Sequence, residues 1–142
     1  MEKIAIACDH AGLEMKAELS KLLSDLGYEV LDLGTDGPES VDYPDFADKM
    51  AETLAADDVE KGVLVCGTGI GISIAANRYR HIRAALCHSV TEAKLTRQHN
   101  DANVLALGAR TMGMESALDC LRAFLTTEFE GGRHSRRVGK MS

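Results

Sequence analysis

No apolar run in this sequence approaches the ~18 residues that a membrane span requires. The opening MEKIAIACDH has neither the apolar core nor the following small-residue cleavage site of a secretory signal. The cytoplasm is therefore the expected compartment. Cysteine is sparse, at positions 8, 66, 87 and 120, with no C-x-x-C pair and no clustered histidines. This argues against a zinc site or a disulfide scaffold and leaves free thiols as the expectation. Only two prolines occur, with no low-complexity run and no internal repeat, so nothing points to disorder or to a repeat array. Net positive charge is missing too. At −6 the chain is not expected to bind nucleic acid broadly.

What is present is one domain's worth of chain, 1–142, enough to bury ~two thirds of its unfolded surface around one core. Its charge is uneven. The last twelve residues, GGRHSRRVGKMS, carry Arg133, Arg136, Arg137 and Lys140 and no acid. The preceding 130 residues hold twelve basic side chains against all twenty-two acids, a balance of −10. A cationic tail of this kind, 131–142, is either a solvated terminal arm or a site for a small anion such as phosphate, which arginine grips in bidentate fashion.

Strand-length apolar runs alternate with stretches of helical spacing. KIAIACD reads as a strand and is followed by a helix with Met15, Leu19, Leu22, Leu23 and Leu26 on one stripe, stopped by Gly27. YEVLDLG reads as a second strand, then a loop turning at Gly37-Pro38, then a helix carrying Phe46, Met50 and Leu54 for which Asp45 is a candidate cap. GVLVCG, IRAALC and NVLALG supply three more strands. Helices are expected to open within GIGISIAANRY, over SVTEAKLTRQHN, and over the segment bearing Met114, Leu118, Leu121 and Leu125. The alternation predicts right-handed crossovers, and the unbroken apolar strands predict burial on both faces. The expected architecture is a three-layer α/β/α domain, Rossmann-like in the broad sense, with five parallel strands.

Open parallel sheets bind ligands beyond the carboxyl ends of their strands. At those ends the sequence places Cys8-Asp9-His10, Cys66 to Gly71, Cys87-His88 and Gly108 to Arg110. Gly67, Gly69 and Gly71 let the backbone turn sharply and turn successive N–H groups towards an anion, or else serve only a tight turn. The loop lacks the G-x-G-x-x-G register and a Walker lysine. Cys66 beside this loop is a candidate to take and give a proton near neutrality, whereas Cys8, Cys87 and Cys120 read as small buried hydrophobes. A thiolate there could attack an electrophile or remove a carbon-bound proton while the loop holds the enediolate. Cysteine phosphatases need an arginine within the anion loop, and none lies between Cys66 and Ser73, so proton abstraction fits better. Asp9 and His10 suit proton exchange or anion binding, although His10 alone also reads as an ordinary strand-end histidine. His99 and Asn100 read equally as a helix end with its turn; His81 and His88 read as incidental.

These residues together make the chain resemble the ribose-5-phosphate isomerase B family, within the group that includes allose-6-phosphate and galactose-6-phosphate isomerases. The likeness runs from Lys3 to about Val138 through CDHAG (8–12), VDYPDFA (41–47), CGTGIGISIAANR (66–78), IRAALC (82–87), RQHNDANVLALGAR (97–110) and GGRHSRR (131–137). The resemblance implies interconversion of D-ribose 5-phosphate and D-ribulose 5-phosphate through a cis-enediol, with no metal or organic cofactor. It makes Cys66 the base, the loop Gly67 to Gly71 the enediolate binder, and Thr68 and Asp9 the carriers of hydroxyl protons. His99 would open the furanose ring, Asn100 would touch sugar oxygens, and Tyr43 would line the pocket. His10, Arg110, Arg133 and Arg137 would hold the phosphate, with His134 nearby. A branch of the family that places its base just after the glycine loop as a glutamate is not indicated, since Ile72 stands there. The expected assembly is a homodimer, in some members a tetramer, in which His99-Asn100 closes the partner's pocket. The alternatives are a six-carbon aldose-phosphate isomerase, a non-catalytic sugar-phosphate-binding subunit, or a flavodoxin-like nucleotide binder.

Overall fold

The computed structural model describes residues 1–56 and 58–142. The chain runs β1 (Lys3–Cys8), a 3-10 turn (His10–Gly12), α1 (Leu13–Asp25), β2 (Glu29–Asp32), α2 (Tyr43–Ala55), β3 (Lys61–Cys66) and α3 (Ile70–Ala76). It continues through β4 (Ala84–Leu86), α4 (Val90–Asn100), β5 (Val104–Gly108), α5 (Met114–Thr126) and α6 (Arg133–Met141). All strand pairings are parallel, in the order β2-β1-β3-β5-β4. The expected Rossmann-like α/β/α sandwich with five parallel strands is what the molecule adopts. None of the described helices is long and apolar enough to cross a membrane.

Side-chain alternation along the central strands builds a core on each face of the sheet. Ile4, Ile6 and Cys8 of β1, Val63 and Val65 of β3, and Leu105 and Leu107 of β5 join the apolar stripes of α1 and α5. Their neighbours Ala5, Ala7, Leu64, Cys66 and Val104 face the other way, against Phe46 and Met50 of α2 and Ile72 and Ala76 of α3. The same parity settles the two strand-end thiols. Cys8 and Cys66 end adjacent strands yet lie on opposite sides of the sheet.

The order of strands places the functional edge. From β1 the chain crosses towards β2, whereas from β3 it crosses the other way to β4, so the connections part company between β1 and β3. At such a switch point the loops leave a crevice outside the carboxyl ends, where ligands bind in open α/β sheets. Asp9-His10 and Cys66-Gly67 are the residues that emerge there.

Several boundaries differ from expectation. The second strand spans only Glu29–Asp32, with its outward residues exposed, because it is an edge strand. Asp42, not Asp45, occupies the N-cap of α2. Pro44 sits in the first turn, where its missing N–H costs nothing, and Asp45 complements the helix dipole inside that turn. The cationic tail is not a loose arm: residues Arg133–Met141 form α6, which packs against α4.

Candidate active site

At the carboxyl edge the groups singled out in the sequence converge on one loop. Cys66 is the last residue of β3 and is nearly buried. Its Sγ accepts the N–H of Gly69 at 3.2 Å. Gly69 sits in the left-handed region at φ 76° as the N-cap of α3, which lets the chain double back so that this amide points at the sulfur. A Cβ there would lie 2.9 Å from the Leu107 carbonyl carbon and 2.5 Å from Leu86 Cδ1, so the space is closed as well. Thr68 Oγ1 accepts the Ile70 N–H at 3.1 Å, satisfying one of the unpaired amides that open α3.

Around that loop the remaining groups are held by their own bonds. Asp9 is buried, and its carboxylate accepts the Ala11 N–H at 3.0 Å, capping the 3-10 turn. His10 Nδ1 accepts the Val41 N–H at 3.2 Å, which fixes the neutral ring's proton on Nε2 and leaves that nitrogen a donor. Arg110 lies over Gly67, whose absent Cβ would meet the guanidinium Nη1 at 3.3 Å, and its own N–H is bonded to the Gly67 carbonyl at 2.8 Å. Tyr43 covers Gly71: a Cβ at that glycine would stand 2.5 Å from Tyr43 Cζ. Gly71 thus admits the tyrosine ring as well as opening the loop. An open cleft runs from Asp9 and His10 to Val41 and Tyr43.

The other three thiols differ in surroundings. Burial pushes Cys8 up to about 11, against the pull of the Lys16 ammonium, and Cys87 up to about 12. Cys120 is raised by the same cause. These are inert core groups at neutral pH, in keeping with their reading as small hydrophobes.

The second group of predicted residues is elsewhere. His99 and Asn100 end α4, whose C-cap Asp101 takes φ 46° and is held by Arg97 Nη1 at 2.8 Å and Arg83 Nη2 at 3.4 Å. Three residues later β5 begins, so His99 and Asn100 lie at the amino edge of the sheet. The length of β5, roughly 15 Å, separates that edge from Cys66. Arg133 and Arg137 of α6 stand near His134, whose ring stacks on that of His99 with centroids 4.4 Å apart and planes 17° apart. Burial lowers the His134 pKa, with His99 and Arg133 pushing the same way and Glu130 opposing. Glu130 Oε1 stands 3.9 Å from His99 Nε2 and 3.7 Å from His134 Nε2. This grouping had no signal in the sequence, where the two histidines are thirty-five positions apart.

One chain therefore presents two half-sites. The carboxyl edge offers Asp9, His10, Tyr43, Cys66, Thr68, the glycine loop and Arg110. The amino edge offers His99, Asn100, Arg133 and Arg137. The first suits proton transfer at carbon next to an anion; the second suits a phosphorylated, hydroxyl-rich ligand.

Comparison with known proteins gives concordant results. A family model described as ribose/galactose isomerase matches residues 4–141. Ribose-5-phosphate isomerase B of Escherichia coli (strain K12) is 49% identical over 138 residues, covering 97% of this chain and 93% of the relative. The structure of Clostridium thermocellum ribose-5-phosphate isomerase B superposes with a TM-score of 0.96 at 52% identity, covering 98% of this chain and 94% of that one. The Mycoplasma genitalium ribose-5-phosphate isomerase B, solved with bound ribulose-5-phosphate, gives 0.93 at 41% identity, covering 98% and 93%.

Proposed function

The chain belongs to the ribose/galactose isomerase family and is a sugar-phosphate aldose–ketose isomerase, and we propose that it interconverts D-ribose 5-phosphate and D-ribulose 5-phosphate with Cys66 as the base. The observation that carries the choice of base is the Cys66 sulfur at the end of β3, bonded by the Gly69 amide at the mouth of the crevice. Ribulose-5-phosphate bound to the Mycoplasma genitalium relative supports the choice of substrate.

In the open-chain aldose the Cys66 thiolate takes the proton from C2. The electron pair moves into the C1–C2 bond, and the C1 carbonyl oxygen becomes the enediolate oxygen. That charge falls to the N–H groups of the loop Gly67 to Gly71 other than those of Gly69 and Ile70, which are bonded to Cys66 Sγ and Thr68 Oγ1; a donor aimed at a developing oxyanion is worth ~3 kcal/mol. The thiol then returns the proton to C1 while the C2 hydroxyl becomes the ketone. Thr68 and Asp9 carry the hydroxyl protons between O1 and O2, so nothing is gained or lost overall. Tyr43 walls the pocket.

Ring opening by His99 and phosphate binding by His10, Arg110, Arg133 and Arg137 need both half-sites in one pocket, whereas acid–base catalysis works only within hydrogen-bond reach, ~3 Å. The separation of the edges favours a homodimer in which one chain's His99, Asn100, Arg133 and Arg137 meet the partner's Cys66. The whole chain 1–142 works as one isomerase domain, in the cytoplasm, at the pentose phosphate stage of carbohydrate metabolism.

The test is Cys66→Ala assayed with ribose 5-phosphate. Turnover should fall by at least ~100-fold while substrate still binds; near-normal turnover would remove Cys66 from the mechanism. Running the wild type on five- and six-carbon aldose phosphates side by side should show the higher kcat/KM on the pentose.

A further inference from the structure

The isomerase reading makes no use of Lys16, yet this lysine of α1 is only 5% exposed. Lysine is rarely buried unless its charge is paired. Its ammonium donates to Asp32 Oδ1 at 2.7 Å and to the Thr35 carbonyl at 2.6 Å. The same Asp32 oxygen accepts the Gly34 N–H at 2.9 Å. One cation therefore ties the end of β2 to the first residues of the segment that follows it.

That segment, 33–42, leads to Val41, Asp42 and Tyr43, which wall the cleft beside Asp9 and His10. Its middle, 36–40, has no backbone–backbone hydrogen bond among the described residues, so its course is set from its two ends. At the far end the Val41 N–H is bonded to His10 Nδ1 at 3.2 Å. At the near end the Thr35 N–H is bonded to the Cys8 carbonyl at 2.8 Å, whereas the Thr35 carbonyl has Lys16 and a long 3.9 Å approach of Cys8 Sγ. Without the ammonium this half-buried carbonyl must turn to water, and the chain beyond it swings with it. Both clasps are mounted on one piece, because the 3-10 turn that carries His10 runs directly into the helix that carries Lys16.

We propose that Lys16 is a positioning residue for His10. By fixing Gly34 and Thr35 it delivers the Val41 N–H to Nδ1 and so holds the neutral ring with its proton on Nε2. The consequence for turnover rests on the isomerase reading: Nε2–H is the donor that meets the substrate phosphate, so a slack segment weakens substrate binding and leaves proton transfer at Cys66 alone.

The test is Lys16→Met, which keeps the apolar stem and removes the donors, while half-exposed Asp32 turns to water. Ring-nitrogen NMR of the full-length labelled protein at about pH 8, above the ordinary imidazole range, distinguishes the two tautomers, with His10 assigned by the loss of its signals in His10→Gln. The wild type should show Nε2–H at His10, and Lys16→Met a mixture with Nδ1–H. On ribose 5-phosphate KM should rise about threefold to tenfold, the worth of one hydrogen bond to phosphate, with kcat changed by less than about twofold. Lys21→Met, an exposed lysine on the same helix, should change neither. Should Lys16→Met not fold, Asp32→Ala, which frees the Gly34 N–H at the rim, should move tautomer and KM in the same directions. An Nδ1–H ring in the wild type overturns the proposal, as does a wild-type tautomer in a folded Lys16→Met or Asp32→Ala protein. A mixed tautomer with KM unmoved would leave the positioning role standing and remove His10 from phosphate binding in the isomerase reading.

Discussion

Of the four thiols, Cys8, Cys87 and Cys120 lie in the core that the sheet forms with α1 and α5, and Cys66 lies on the other face, bonded to the glycine loop. Chemistry at single residues follows. Alkylation of the native protein with iodoacetamide near pH 8 should add mass at Cys66 and none at Cys8, Cys87 or Cys120, read by peptide mass spectrometry. Label on the other three would show that the core opens more readily than its packing implies. Cys8 and Cys87 also give stability a pH dependence. Their folded pKa values, about 11 and about 12, exceed the ordinary 9.0, so the unfolded chain releases these protons first. Their contribution is complete below pH 9.0 and is lost as pH rises through the folded values. Thermal midpoints should decline across that alkaline window, and less steeply in Cys87→Ala; parallel curves would remove Cys87 from the account.

At the scale of elements, α6 turns the cationic tail into a part with a fixed orientation. Arg137 stands one turn beyond Arg133 on it, beside the helix α4 that carries His99. Removing one charge-assisted contact to phosphate costs ~1.5–3 kcal/mol. Arg137→Ala should therefore raise KM by about tenfold to a hundredfold with a smaller change in kcat, and an unchanged KM would take α6 out of phosphate binding. This helix was not legible in the sequence, and the reason is physical. Its apolar residues are few, Val138 and Met141, and its N-terminus is held by His134 packing on His99, a contact made only by the fold. The central strands were legible because burial on both faces demands unbroken apolar runs. The edge strands β2 and β4 came out shorter than expected, since a half-wet strand ends without a sharp change in composition. In the candidate site, residues just past strand ends could be found from the strands. The His99–Glu130–His134 grouping could not, because nothing local links its members.

On the scale of the whole molecule, the two groups of candidate residues lie at opposite edges of the sheet, and in the proposed dimer a symmetric pair of chains joins each to the other's complement. A C2 dimer creates two such pockets, each drawing on both chains. Co-expressing Cys66→Ala with His99→Ala should then recover activity that neither variant has alone. One dimer in two is mixed and holds one intact pocket of its two, so about a quarter of wild-type sites is expected from random pairing of the two-fold assembly. Failure to recover any activity would mean that His99 and Cys66 of the same chain serve one pocket, or that His99 does not take part.

The parity of the central strands also decides how the enzyme meets oxidants. Cys8, Cys87 and Cys120 share one face of the sheet, and Cys66 has the other to itself. A sulfenic acid formed on Cys66 has no second thiol of its own chain on that face of the sheet, so no internal disulfide is expected to rescue it. The sheet acts as insulation between Cys66 and the other three thiols, and reduction of an oxidised Cys66 is expected to fall to small thiols arriving from solution.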